Sequence, residues 1–174
     1  MNAEELRALQ APLKRQYRES AESALIPARA EGVLDEEEIA CRISARGGET
    51  VAGLHMAAGG TGALACSADM LLEALVACAG VTLRAVATAM GVSLRGGRIV
   101  AEGVWDARGT LGIDKAAPVG MTEIALRFEL DTDADAAQVE RLIATTERFC
   151  VIFQTLRSPP RLSVTHAAAA GVTV

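Results

Sequence analysis

The cysteines are the residues of this chain whose chemistry could be catalytic. The 174-residue sequence has four of them, far apart from one another: Cys41, Cys66, Cys78 and Cys150. No CxxC motif is present, and only two histidines accompany them. In a reducing compartment this pattern argues against a disulfide scaffold and against a zinc cage. Each thiol is therefore either inert or individually reactive.

Cys78 and Cys150 differ from the other two because each lies in the apolar stripe of a predicted long helix. Cys78 is at the middle of "DMLLEALVACAGVTLRAVATAMG", residues 69–91, and Cys150 belongs to a second predicted helix over 134–156. If the two helices pack together, the thiols can meet. A core helix can equally carry an inert cysteine. Reactivity requires a group that stabilises the thiolate, and at a mid-helix position we expect this group to be a guanidinium from elsewhere.

The other two cysteines are assigned by their surroundings. Cys41 alternates with two isoleucines in a predicted strand, which favours simple core packing. Cys66 lies in a loop of small residues before the first long helix. It is 12 residues from Cys78, so a straight helix would separate them by about 18 Å. A disulfide requires Cα atoms within about 7 Å, so these two cannot pair without unfolding that turn.

The elements before the first long helix follow from local patterns. A helix is predicted over 3–19, broken or kinked at Pro12. Alternating apolar residues predict strands over 38–46 and 49–56, joined by a tight turn at Gly47-Gly48. A glycine-rich loop then leads into the long helix.

The termini of the long helix also carry recognisable residues. Ser67 is the predicted N-cap, and Asp69 lies in the first turn, where the helix dipole favours a carboxylate. Gly91 is the predicted C-cap. The helix is apolar on nearly all sides, so we expect a sheet on one face and another helix or a partner subunit on the other.

The second half of the chain repeats the alternation of strands and helix. Strands are predicted over 98–108 and 121–130, followed by the helix over 134–156, which ends before Pro159-Pro160. "RLSVTH", residues 161–166, is predicted to be a closing strand. The order predicts an α+β fold with the helices packed on one face of a largely antiparallel sheet.

Composition and charge exclude several classes of protein. The net charge is −5 with no basic stripe, so no nucleic-acid partner is expected. The N-terminus has no apolar signal region, and the longest strongly apolar run, 74–83, is too short to span a membrane. We predict a soluble, cytoplasmic protein of one domain, residues 37–166, with an N-terminal helical arm over 1–36 and a C-terminal tail over 167–174.

Residues 69–91, together with "ERFCVIFQTLRS", resemble the two cysteine helices of the osmotically inducible protein C (OsmC) and organic hydroperoxide resistance (Ohr) family. The resemblance extends over residues 37–166. It implies an intertwined homodimer with the first-helix cysteines near the subunit boundary. It also implies a peroxidase that reduces organic hydroperoxides with two cysteines, no bound cofactor and an external dithiol reductant.

The resemblance assigns roles to individual positions. Cys78 matches the peroxidatic cysteine and Cys150 the resolving one. Asp69 falls at or next to the family's acidic position, where glutamate is usual. The thiolate-stabilising arginine comes from the N-terminal hairpin, for which Arg46 is the candidate and Arg42 its rival. The family usually has proline after the second cysteine, but Val151 stands there in this chain.

Two other polar residues near these positions are interpreted conservatively. Glu73 points about 140° away from Cys78 on a helix, so we expect it to be a polar edge of that helix. His55 could line a pocket, but a surface or hydrogen-bonded histidine is the favoured interpretation.

Two other functions remain open at this point. One is a non-catalytic member of the same fold that binds an apolar small molecule between subunits, and the other is a structural dimer with four inert thiols. Peroxide consumption with a dithiol would distinguish both from the enzyme.

Overall fold

The N-terminal arm begins with a helix that makes few contacts with the rest of the chain. A computed structural model describes residues 1–45 and 48–167. Helix α1, Ala3–Glu19, begins with a capping box in which Asn2 and Glu5 each accept the other's backbone N–H. It continues through Pro12 without a break, so of the predicted break or kink the break is wrong.

Four short strands form the first sheet, in the order β1-β2-β3-β4. Their bounds are β1 Glu31–Leu34, β2 Ala40–Ala45, β3 Gly48–Gly53 and β4 Ala65–Cys66. The antiparallel pairing of β2 with β3 is the predicted hairpin. Strand β1 was not predicted; it pairs with β2 and is exposed along its whole length. The predicted turn residue Gly47 lies outside the described residues.

Strand β4 runs directly into the long helix α2, Ser67–Met90. The N-cap of α2 is therefore Cys66. The predicted N-cap, Ser67, is instead the first residue of the helix. Gly91 ends the helix with a positive φ of 70°, as predicted. The buried residues of α2 recur every four positions and form one stripe: Leu75, Ala79, Leu83 and Ala87.

The stripe of α2 packs on a second sheet of two long antiparallel strands, β5 Leu94–Trp105 and β6 Met121–Thr132. Both strands were predicted. The prediction of a single sheet is wrong, because the described strands form two separate sheets. A short helix, α3 Ala107–Thr110, lies between β5 and β6. The mixed α+β class is confirmed.

The second cysteine helix is two helices, α4 Ala136–Phe149 and α5 Val151–Arg157. The prediction of one helix over 134–156 is wrong because the backbone of Cys150 is extended, with φ −74° and ψ 110°. The predicted closing strand over 161–166 is also wrong for this chain, because the segment has no strand neighbour and is exposed.

Helix α2 is long and apolar enough, by length and composition, to cross a membrane. Its packing is that of a core helix, however, since its buried stripe contacts β5, β6 and α4. The opposite face is uncovered in the single chain, where Val81 is 74% exposed.

Candidate active site

The fold brings Cys78 and Cys150 into contact. Cys78 projects from the middle of α2 and is half-buried, whereas Cys150, between α4 and α5, is only 1% exposed. Both belong to one apolar cluster with Leu75 and Ala79. The two thiols are hydrogen-bonded to each other, and both are free rather than joined in a disulfide.

The helix break at Cys150 supplies further hydrogen-bond donors to Cys78. In an unbroken helix the Val151 N–H would donate to the carbonyl four residues earlier, that of Glu147. The extended backbone at Cys150 prevents this bond. The N–H groups of Val151 and Ile152 instead lower the pKa of Cys78, and that of Ile152 also acts on Cys150.

These contacts place negative charge on Cys78 rather than on Cys150. Burial raises the pKa of Cys78, but hydrogen bonds from the Ile152 N–H, the Cys150 thiol, the Val151 N–H and the Thr82 hydroxyl outweigh it, so the pKa lies below its ordinary value. Burial raises the pKa of Cys150 above its ordinary value, and the neighbouring Cys78 adds to the rise. As pH increases, Cys78 therefore ionises first, with Cys150 still protonated.

The arginine guanidinium predicted from the sequence is not among the described groups that lower the Cys78 pKa. Within the described residues, every hydrogen bond that lowers the Cys78 pKa comes from the α4–α5 junction or from Thr82. Arg42 is engaged elsewhere, 2.8 Å from the Asp35 carboxylate and 3.5 Å from that of Glu49. The position of Arg42 therefore does not support it as the arginine that stabilises the Cys78 thiolate.

The Arg42 ion pair belongs to the end of the β1–β2 connection. The backbone N–H groups of Glu38 and Glu37, together with the Arg42 guanidinium, lower the pKa of Asp35 to about 2. The carboxylate thus fixes this turn and the Arg42 side chain at once.

The remaining members of the predicted charge network do not meet at Cys78 in the described structure. Asp69 is exposed in the first turn of α2 and lines a surface depression with Glu73. The exposure of Glu73 agrees with the polar helix edge predicted for it. Arg46, the predicted thiolate partner, lies outside the described residues.

An apolar cavity shares side chains with the cluster that contains Cys150, although neither thiol lines it. It has a volume of 280 Å³, and five of its lining residues also pack against the cluster that contains Cys150: Leu75, Ile124, Leu126, Phe153 and Leu156. Glu123 and Arg157 supply polar groups to the lining. A cavity of this kind suits the hydrocarbon part of a small organic molecule.

His55 and Cys66 line a different cavity, of 330 Å³, near the start of α2. The His55 Nδ1 accepts a hydrogen bond from the Ala57 N–H at 3.0 Å, and its ring meets Trp105 edge-on at 5.3 Å. His55 is thus hydrogen-bonded, as the sequence favoured, and it also lines a cavity, which was the other possibility.

Cys41 is only half-buried, on β2 of the first sheet, and it does not belong to either described core cluster. The prediction of simple core packing is therefore wrong for the single chain. The reason is that the two described core clusters on α2 include residues of β5 and β6 but none of the first sheet.

Sequence reasoning missed two residues of this site. Thr82 lies four residues after Cys78, and Gln154 lies four residues after Cys150. Thr82 therefore lies one helical turn from Cys78, whereas the Gln154 side chain donates to the Glu147 carbonyl, seven residues earlier. The spacing of Thr82 from Cys78 can be read from the sequence. The role of Gln154 cannot, because it depends on the helix break at Cys150.

Together the fold and the site define an α+β protein with a pair of contacting thiols between two helices. A family model described as "OsmC-like protein" matches residues 60–165, which is more than half of the chain. The chain therefore belongs to the OsmC-like family. A search of curated proteins found no significant match.

Solved structures share this fold at low sequence identity. An OsmC-like protein from Mycoplasma pneumoniae has a TM-score of 0.64 at 18% identity, covering 77% of this chain and 89% of that one. An organic hydroperoxide resistance protein from Elizabethkingia anophelis has a TM-score of 0.62 at 14% identity, with 78% and 91% covered. An organic hydroperoxide resistance protein from Legionella pneumophila has a TM-score of 0.57 at 15% identity, with 77% and 91% covered. At these identities the likeness establishes the fold.

Proposed function

We propose that this protein is a thiol peroxidase that reduces organic hydroperoxides to alcohols through Cys78 and Cys150. The observation that carries the proposal is the contact between two free thiols whose pKa values are moved in opposite directions, downward for Cys78 and upward for Cys150. Paired titratable groups with separated pKa values are typical of catalytic sites. Two structural relatives are named organic hydroperoxide resistance proteins, which points to the same chemistry.

The first step is attack by the Cys78 thiolate on the distal oxygen of the hydroperoxide. The O–O bond breaks, its electron pair leaves with the alkoxide oxygen, and protonation gives the alcohol. Cys78 is oxidised to a sulfenic acid. Water supplies that proton, so Cys150 keeps its own proton for the second step.

The second step joins the two sulfurs. Cys150 attacks the Cys78 sulfenic sulfur, a disulfide forms, and the hydroxyl leaves as water with the Cys150 proton. An external dithiol then reduces the disulfide by exchange and is itself oxidised. No bound cofactor takes part in this cycle. Because re-reduction requires a reducing compartment, we assign the protein to the cytoplasm.

We place the hydrocarbon group of the peroxide in the apolar cavity whose lining residues also pack in the cluster around Cys150. Its wall of Leu126, Phe153 and Leu156 favours a hydrocarbon group over water. We therefore expect cumene hydroperoxide to be a better substrate than hydrogen peroxide.

An assay of peroxide consumption tests the function directly. The purified protein with dithiothreitol and cumene hydroperoxide is expected to turn over many equivalents of peroxide per chain, measured by residual peroxide. Absence of turnover would contradict the proposal. Binding of the corresponding alcohol without turnover would favour the non-catalytic, ligand-binding alternative.

We also propose that the functional unit is a homodimer. The single chain exposes 13,367 Å², whereas a compact monomer of 174 residues exposes about 8,100 Å². The excess is too large for scattered surface residues, and it includes apolar side chains on α2 and β1, such as Val81 and Val33. An extensive interface would cover them.

The C-terminal segment fits the same proposal. Leu162 and Val164 are 86% and 94% exposed and alternate with polar residues, a pattern typical of a half-buried strand. The two-stranded sheet of β5 and β6 has unpaired edges within the described chain. A second copy could provide the neighbour that this segment lacks.

Light scattering tests the dimer. At micromolar concentration we expect twice the mass of one chain, with an interface above about 2,000 Å² in total. A mass of one chain under these conditions would remove the basis for a dimer. Replacing Val81 by Glu is expected to dissociate the dimer, because Val81 is 74% exposed on the uncovered face of α2.

A further inference from the structure

Gln154 connects the two helices that meet at Cys150. Its side-chain Nε2 donates a hydrogen bond to the Glu147 backbone carbonyl at 2.8 Å, in a partly buried setting. Its backbone N–H donates to the Cys150 carbonyl at 3.0 Å. Gln154 thus bonds to the last turn of α4 through its side chain and to the junction through its backbone.

The hydrogen bond from the Gln154 side chain replaces the backbone hydrogen bond that the helix break removes from the Glu147 carbonyl. The Glu147 carbonyl loses the Val151 N–H that an unbroken helix would supply. A backbone carbonyl away from water needs a partner, and leaving it unpaired is unfavourable. The Gln154 amide takes the place of the missing N–H. The Val151 N–H is therefore left for the Cys78 sulfur.

We propose that Gln154 is a positioning residue that keeps the α4–α5 junction broken, so that the backbone N–H groups of Val151 and Ile152 remain directed at Cys78. The importance of Gln154 for peroxide reduction rests on the proposed function. The effect of Gln154 on the Cys78 thiol does not depend on that function, because it can be measured without peroxide.

The competing state is a continuous helix through Cys150. Without the Gln154 amide, the Glu147 carbonyl regains its partner if the Val151 N–H turns back into the helix. That rearrangement withdraws a donor from Cys78, and the thiolate loses stabilisation. Cys150 is the titratable side chain that acts on Cys78 within the described residues, and it remains in place in this comparison.

The test is the pH dependence of Cys78 alkylation by iodoacetamide, followed by mass spectrometry of the Cys78 peptide. Gln154→Met keeps the length of the side chain but has no donor. We expect its alkylation midpoint to move upward by about one pH unit, which is roughly a tenfold lower rate below the midpoint. Gln154→Leu, a second side chain without a donor, carries the same expectation should the first variant not fold.

Thr155→Val is the matched control. Thr155 is the next residue on α5, is exposed, and donates only to the Val151 carbonyl within its own helix, at 2.8 Å. Removing this hydroxyl changes the same short helix without touching the bond to Glu147. We expect the alkylation midpoint of this variant to match that of the parent.

A second background separates positioning from general support of the helix. Val151→Pro has no N–H to return to Glu147, and proline suits the first position of a helix. This change alone is expected to raise the alkylation midpoint, because one donor is lost. Adding Gln154→Met to it should then produce little further shift.

Two results would overturn the proposal. One is an alkylation profile of folded Gln154→Met or Gln154→Leu that superimposes on the parent profile. The other is a Gln154→Met shift of the same size with and without Val151→Pro, since independent effects add. A protein that alkylates as expected but consumes no peroxide would leave this inference intact and contradict only the peroxidase.

Discussion

Replacing Cys78 by serine is expected to lower the rate of cumene hydroperoxide consumption by about a thousandfold or more. A serine hydroxyl is not ionised near neutral pH and cannot form a sulfenic acid. The N–H groups of Val151 and Ile152 would still be present, but they would have no thiolate to stabilise. Residual peroxide, measured with dithiothreitol as the reductant, gives the rate.

The controls for this prediction are the two cysteines outside the pair. Cys41 and Cys66 lie on the first sheet, and Cys66 begins the helix that carries Cys78 at its middle. Cys41→Ser and Cys66→Ser should retain the parent rate. Peptide mapping after one equivalent of peroxide should find Cys78 joined to Cys150. A bridge to Cys41 or Cys66, or a Cys78→Ser variant that consumes peroxide at the parent rate, would refute the peroxidase.

Much of the framework around the site could be predicted because it depends on local patterns. Alternation predicted the hairpin of β2 and β3 and the long strands β5 and β6, and helical spacing predicted α2 with its end at Gly91. Each of these features has its cause within a few residues of sequence. The resemblance to the OsmC and Ohr family, drawn from the two cysteine segments, is confirmed by the family match over residues 60–165.

The helix break could not be predicted because its cause is not local. Residues 134–156 contain no proline or glycine, and the cysteine follows the apolar stripe without interruption. What distinguishes Cys150 is the thiol of Cys78, more than seventy residues earlier, which receives the freed N–H groups. A non-local cause also explains why the predicted strand over 161–166 is wrong. A strand needs a neighbouring strand, and the described chain does not provide one.

The described residues lower the Cys78 pKa by a means that the sequence did not predict, whereas Arg46 lies outside them. A cysteine at the middle of a helix gains little from its own helix dipole, so the sequence called for a guanidinium. The structure supplies donors from the junction of two other helices, at a position that only the fold determines. Val151, which departs from the family's usual proline, contributes an N–H that proline lacks. The departure therefore adds a donor to Cys78.

Replacing Cys150 by serine is expected to separate the two halves of the reaction. The Cys150→Ser variant keeps a hydroxyl that can donate to the Cys78 thiolate, so the first attack on peroxide should proceed. The disulfide cannot form, and the reaction should stop at a sulfenic acid on Cys78. Excess peroxide should then carry it to the sulfinic acid, which a dithiol does not reverse.

Intact-mass spectrometry resolves these products, because one equivalent of peroxide should add one oxygen atom per chain and excess peroxide a second. Steady-state turnover with dithiothreitol should fall as the protein is over-oxidised, so successive additions of peroxide should be consumed more slowly. Cys66→Ser, which removes a thiol outside the pair, should show neither change. A Cys150→Ser variant that sustains the parent rate through repeated additions would mean that the reductant acts directly on the sulfenic acid, and Cys150 would have no resolving role. An initial attack that is itself lost would instead mean that the Cys150 sulfur, and not only a donor at that position, is needed to hold the charge on Cys78.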